Sequence, residues 1–319
     1  MILVLASPED LLARETAACL KQRGHETLVV PEAQLHSALQ IRWVLPAPIE
    51  TGYLAQAKSV WPLQHVSGVL VRTRRAFHAN LAEGDDPNYI QAEWAALLHG
   101  FLNAIPCPVV NRPRPGAGQL PPESSWVAKA LLRSGLHAPR TLVTASAATA
   151  ADFFKRNGRR VICSSPGGGC GVLLEGDPGR HALQEASVRP VRLQAVPDGR
   201  WQRVLVIGRE ALSEGLPALP EPLAAPFVSM AASLELQFME LLCLSARDGS
   251  QIIFSINEFP DLATCGPSSQ LRIIEALANL LAGKSQRKTI SKFRNGRATR
   301  PPSRSSGQRR TRTPERAVP

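Results

Sequence analysis

The sequence predicts an α/β protein with an N-terminal βαβ unit, a two-lobed α+β unit behind it, and a disordered basic C-terminal tail. Three observations predict this. Strand, helix and strand patterns fit into the first thirty residues, the spacing of a βαβ unit. A Pro/Gly-rich break at 112–123 (RPRPGAGQLPPE) separates that front part from a second series of helix and strand patterns. Beyond Gly283 the apolar period is lost, and Arg, Ser, Pro, Thr and Gly dominate, a composition too poor in apolar surface to offset the entropy of ordering. The expected units are 1–112, 113–283 with a small lobe at about 137–208, and the tail 284–319.

Residues 2–6 are an apolar run, and Ser7-Pro8-Glu9-Asp10 is a helix entry with acids in its first turn. That helix runs to about Arg23, where Gly24 stops it, and 27–30 is a second strand closed by Pro31. Residues 69–71 form the next strand, with Arg72, Arg74 and Arg75 at its end. Over 89–102, Ile90, Trp94, Leu97, Leu98 and Phe101 recur at helical spacing and belong to the core. Residues 108–110 are a strand ending in Asn111-Arg112-Pro113. Past the break, 124–134 reads as a helix stopped by Gly135, 141–144 as a strand, 147–156 as a helix and 160–163 as a strand. Strands follow at 191–196 and 203–207, then a Pro-rich loop at 215–226. The pattern of 235–244 suits strand or helix. Residues 251–257 alternate, with Ile252, Phe254 and Ile256 on one side and Ile253, Ser255 and Asn257 on the other. Residues 268–281 form a terminal helix with Leu271 on its apolar face and Ser268 or Ser269 as cap.

Composition excludes several classes. No run of 18 apolar residues exists, so no transmembrane helix is expected, and the apolar start is too short for a signal peptide and lacks a basic front. Six cysteines without CxxC spacing read as reduced thiols of a cytoplasmic protein. Seven histidines show no HxxxH or HxH pair that would suggest zinc. The net charge of +11 sits in the tail, which holds 12 Lys/Arg and one acid, Glu315. The body is neutral and makes no compositional case for nucleic-acid binding. The tail's arginines suit salt-sensitive binding to RNA, DNA or an acidic partner, or simply a solvated extension or an out-of-frame end. Phe293 is its one aromatic, too few for stacking on single strands.

Three stretches carry candidate chemistry. Gly167-Gly168-Gly169-Cys170-Gly171 lies between two strands, where glycines let backbone N–H groups approach phosphates. No GK[ST] follows, so it is no Walker A loop, and a plain hairpin fits as well. Arg203 opens its strand, as a bidentate phosphate clamp or as a solvated strand end. Asn257 closes its strand, as a turn residue or as a ligand.

The order of the pieces resembles the ATP-grasp superfamily, most closely its RimK-like and graspetide-type peptide ligases. VLVR (69–72), YIQAEWAALLHGFL (89–102) and PVVNRP (108–113) resemble the N-terminal, pre-ATP-grasp domain. AKALLRSGLHAPRTLVTAS (128–146) and VICSSPGGGCGV (161–172) resemble the entry to the small lobe and its glycine loop. RVLVIG (203–208) and FSINEFP (254–260) are similar to the arginine strand and the closing strand.

The resemblance implies ATP and Mg²⁺ as cofactors, which turn a carboxylate into an acyl-phosphate that an amine attacks. It implies Arg203 as the catalytic phosphate contact, Gly167, Gly168, Gly169 and Gly171 as the phosphate cover, and Asn257 on the metal, with Lys129 about a turn from one expected lysine as a replacement cation and Glu240 two residues from an expected acid as a replacement metal ligand. It also implies two lysines and two metal acids. The lysines fall on Ser124 or Ser125 and on Ser164 or Ser165, and the acids on Leu242 and Ser255. Leucine cannot hold Mg²⁺ and serine offers a neutral oxygen, so the first expectation is a degraded ATP and metal site in a pseudoenzyme. Such a chain serves as a partner or substrate-binding subunit beside an active ligase. The second is an active ATP-dependent carboxylate–amine ligase acting on a peptide or amino acid. The third is nucleic-acid binding through the tail. A homo-oligomer is compatible with each.

Overall fold

Parallel strands buried on both faces read as unbroken apolar runs, and the first five residues after Met1 do so. In the computed structural model, which describes residues 1–35, 39–44, 51–73, 86–112, 124–167, 171–183, 189–213 and 218–283, β1 (Ile2–Ala6) is buried at every position. It pairs in parallel with β2 (Thr27–Pro31) and with β6 (Gly68–Val71), which pairs with β7 (Val109–Val110). α1 (Leu11–Gln22) covers one face and α2 (Pro87–Ala104) the other. Asp10 caps α1, its Oδ1 accepting from the Ala13 N–H at 2.8 Å. A small antiparallel sheet, β3 (Gln40–Arg42), β4 (Tyr53–Gln56) and β5 (Ser59–Pro62), lies in a stretch left unassigned from sequence. Leu54 is the one residue of these strands that is fully buried, so no apolar alternation marks them.

Two further antiparallel sheets follow. The small-lobe sheet runs β10-β9-β11-β8, from β8 (Thr141–Thr144), β9 (Arg160–Ser164), β10 (Val172–Glu175) and β11 (Val191–Ala195). α4 (Ala147–Arg156) packs Ala150 and Phe154 against Val161, Leu174 and Leu193 on one of its faces. The short helix α5 (Gly176–Ala182) follows β10. The large sheet runs β13-β12-β14-β15, from β12 (Gly199–Ile207), β13 (Glu210–Ser213), β14 (Phe238–Ala246) and β15 (Gln251–Asn257). α3 (Ser125–Arg133) and α6 (Glu221–Ser233) bury one face of this sheet around Val204, Met239, Leu241 and Ile253. α7 (Pro267–Leu281) covers part of the other face at Leu205, Ile207 and Phe238 and also packs on α1 and β6.

Several expectations change. Arg203, expected to open its strand, stands in the middle of β12, which begins four residues earlier at Gly199. The Pro-rich loop expected at 215–226 is in its second half the start of α6, with Pro222 in the first turn and Pro226 inside the helix. Burial of Ala224, Phe227, Met230 and Ala231 outweighs the missing N–H of Pro226. The ambiguous 235–244 stretch is a strand, β14, entered through Glu235 at φ 53°. α7 has Gly266 at its N-cap, with no side-chain cap bond, and Leu271 is 65% exposed rather than on the core face. Finally, the β14–β15 pairing shifts register between Leu242 and Cys243, so Phe254 is an extra residue. A bulge of this kind breaks the alternation. Ile256 therefore joins Ile253 on the α3/α6 face, while Ser255 and Asn257 stand on the face that carries Ile252 and Phe254.

Among the described residues no helix is long and apolar enough to cross a membrane. Gly168, Gly169, Cys170, Arg74, Arg75, most of the 112–123 break and the tail lie outside the described residues.

Candidate functional site

The site grows from the place where the small-lobe sheet leans on the large one. Ile162 of β9 and Val196 after β11 meet Trp201, Leu244 and Phe254, and the Trp201 and Phe254 rings sit 4.8 Å apart, edge to face. From this contact two walls diverge. One step along the small-lobe wall stand Ser164 and Arg192, Cα partners on neighbouring strands. One step along the large wall stand Arg203, Leu242 and Ser255, partners across three strands. One step further are Glu240 and Asn257, also partners.

Arg203 and Glu240 lie diagonally on one sheet face, within reach of long side chains. The Arg203 Nε donates to Glu240 Oε1 at 2.6 Å and its Nη2 to Oε2 at 3.1 Å. This forked, charge-assisted geometry is the strongest an Arg–carboxylate pair makes. The same guanidinium donates to the Thr264 carbonyl at 3.0 Å and to Thr264 Oγ1 at 2.6 Å. The Asn257 Nδ2 faces Glu240 Oε2 at 3.4 Å, and its Oδ1 accepts from the Phe259 N–H at 2.9 Å.

The fold thus brings Arg203, Glu240 and Asn257 together. Lys129 is exposed on α3, which packs on the opposite face of the large sheet, and the described contacts of the Arg203 cluster do not include it. Gly171 lies against β9, where an added Cβ would collide with the Ile162 side chain, whereas one at Gly167 would meet open space. The four substituted polar positions have places of their own. Ser124 caps α3, its Oγ accepting from the Val127 N–H at 3.4 Å. Ser164 Oγ accepts from Arg192 Nε at 3.0 Å, with both residues buried. Leu242 is 38% exposed and faces exposed Ser255.

Sequence reasoning missed several residues around this site. Asn111, left-handed at φ 55°, ends β7 and binds the large sheet through four hydrogen bonds. Its Oδ1 accepts from the Gln237 and Phe238 N–H groups, and its Nδ2 donates to the Phe238 and Glu258 carbonyls. Arg72 donates to Asp10 at 2.9 Å and to the Pro260 carbonyl at 3.0 Å, fixing the turn after Asn257 to the front sheet. Asn111 and Arg72 both end strands of the front sheet, which was the available signal. Arg192 and Gln194 carried no motif.

No family model and no curated protein matches the chain. Solved structures do. The macrocyclase MdnC bound with precursor peptide MdnA, from Microcystis aeruginosa MRC, superposes with a TM-score of 0.65 at 13% identity, covering 89% of this chain and all of that one. The ATP-grasp ligase PsnB complexed with minimal precursor, Mg and ADP gives 0.65 at 19%, covering 89% and 97%. A RimK domain ATP-grasp protein from Sphaerobacter thermophilus DSM 20745 gives 0.51 at 18%, covering 88% and 99%. This chain has the ATP-grasp fold. The structures it superposes on include peptide ligases and a RimK domain protein, the kinds that the motif order resembles.

The ATP-grasp fold implies ATP and Mg²⁺, and the residues present can be tested against both. Gln194 is 2% exposed, stands on the same wall as Arg192, and its Nε2 has no partner among the described residues. A buried donor without a protein partner calls for an acceptor from water or from a bound group. Arg192 of the small-lobe sheet and Arg203 of the large sheet are guanidinium groups of the kind that bind phosphate oxygens. For Mg²⁺, which commonly takes one or two carboxylates with substrate phosphates, the cleft offers Glu240 and Asn257. Among the described residues no group of three or more His, Cys, Asp or Glu gathers anywhere.

Proposed function

We propose that this ATP-grasp protein is an ATP-dependent carboxylate–amine ligase acting on a peptide. One observation carries the reading: Arg203, Glu240 and Asn257 converge in the cleft of a fold shared with structures that contain precursor peptide, Mg and ADP. ATP with Mg²⁺ supplies the activation of a carboxylate. In this chain Arg203 would hold phosphate oxygens, and Glu240 with Asn257 would hold the metal. The forked Arg203–Glu240 pair suits a resting state, because each group supplies the charge its ligand later supplies. Units 1–112 and 113–283 are taken as the front and ATP-grasp domains. A cytoplasmic location is part of this reading, from the scattered cysteines of the sequence.

The test is release of ADP and phosphate that requires both ATP and a candidate precursor peptide and is lost in Arg203→Ala. Absence of turnover over a broad peptide panel, with no thermal stabilisation by MgATP, overturns the ligase reading.

A second reading, a peptide- or ligase-binding subunit without turnover, is favoured by Leu242 and Ser255 facing each other where the resemblance expects two metal acids. Under it, peptide binds, MgATP does not stabilise the chain, and Glu240→Gln leaves peptide affinity unchanged.

A further inference from the structure

A guanidinium offers two forked edges, one formed by Nε and Nη2 and the other by Nη1 and Nη2, and each matches a pair of oxygens. Both edges of Arg203 are occupied. Glu240 takes the Nε/Nη2 edge through Oε1 and Oε2, at 2.6 and 3.1 Å. Thr264 takes the Nη1/Nη2 edge through its carbonyl and its Oγ1, at 3.0 and 2.6 Å. The two partners differ in what else holds them. The Glu240 carboxylate faces Asn257 and is the group suited to a metal. Thr264 is fixed from behind. Its hydroxyl donates to the Asp261 carbonyl at 2.7 Å, which turns a lone pair of the oxygen to Arg203. Asp261 caps that turn by accepting from the Ala263 N–H at 3.0 Å, and Leu262 and Cys265 are buried on either side of it. Gln270 of α7 donates to the Leu262 and Cys265 carbonyls at 3.1 and 2.8 Å.

We propose that Thr264 is the positioning residue of Arg203: it keeps the Nη1/Nη2 edge in place while phosphate oxygens take the Nε/Nη2 edge from Glu240. In the resting cleft the carboxylate stands where the phosphate is to sit. A guanidinium held along one edge keeps its plane when the partner on the other edge changes, so less freedom is lost on binding. This role rests on Arg203 as the phosphate contact of the ligase reading, and the test separates the two.

Binding of inorganic tripolyphosphate and of MgATP to the full chain is measured by calorimetry, with folding of each variant checked by urea denaturation. Thr264→Val keeps the shape and the backbone carbonyl but not the hydroxyl. It is expected to weaken both ligands about tenfold, as loss of a hydrogen bond to a charged group does. Thr264→Ser keeps the hydroxyl and the affinity. In Arg203→Met, whose own binding is weaker, Thr264→Val is expected to change nothing further, because no guanidinium is left to position. If Thr264→Val does not fold, Thr264→Ala takes its place. Affinity unchanged in Thr264→Val, an equal loss in Thr264→Ser, or a second full loss on top of Arg203→Met overturns the role of Thr264 and leaves the ligase reading intact. The expected binding pattern without peptide-dependent ADP release keeps the role and removes the ligase reading. Binding of neither ligand by the natural chain removes both.

Discussion

Asn111 shows how much one side chain can do when its backbone conformation is unusual. The left-handed turn at the end of β7 aims a short amide at two strand ends of the large sheet, and all four of its bonds go to backbone groups that no neighbouring strand pairs. Asn111→Ala leaves buried N–H and C=O groups unsatisfied and is expected to cost about 2–4 kcal/mol in urea denaturation, at the upper end for lost buried hydrogen bonds. Cys107 makes a pH-dependent case. Burial pushes its thiol up to about 11, against a smaller downward pull from Arg112. A raised folded value means stability fully present below the ordinary thiol range and lost as pH rises toward 11. The midpoint of thermal unfolding should therefore fall between pH 9 and 11 less steeply in Cys107→Ser than in the natural chain.

At the scale of elements, the bulge in β15 decides the site. A strict alternation places Ile256 beside Phe254. The extra residue instead turns Ser255 and Asn257 toward the cleft and leaves Phe254 to seal its base against Trp201. Phe254→Ala should cost about 3–5 kcal/mol by chemical denaturation, in the range of a large aromatic removed from a core. It should also shift Trp201 emission. Asn257 at the strand end and Arg203 on its strand were legible from residue type and pattern. The Arg203–Glu240 fork was legible only in part, because i and i+2 positions show that Glu240 and Leu242 share a face but not which strand lies opposite. The Arg192–Ser164 hydrogen bond was not legible, since neither segment shows which strand lies beside it. α6 was hidden by its prolines, which local propensity reads as loop while tertiary burial reads as helix.

For the molecule as a whole, α7 joins the front sheet to the large sheet. Its last turn lies so close to β6 that an added Cβ at Gly68 would stand 2.7 Å from the Leu281 carbonyl. Gly68→Ala should thus cost about 1–3 kcal/mol, the usual range for overpacking, read as a lower urea midpoint. Because α7, Asn111 and Arg72 tie the front sheet to the large one, fluorescence and circular dichroism transitions should coincide for the natural chain. Separate transitions would show that these ties do not couple the lobes.

By itself the sequence determined the α/β class, most helices and strands, the order of the lobes and the presence of Arg203 and Asn257 at strand positions, because periodicity and breakers act over a few residues. Only the tertiary structure decided that Glu240 completes a fork with Arg203, that Arg192 stands beside Ser164 in the small-lobe sheet, and that Lys129 sits on the helix covering the other face of the large sheet from that fork. Those facts depend on strand register and on a single bulge, which are set by packing between segments far apart in the chain.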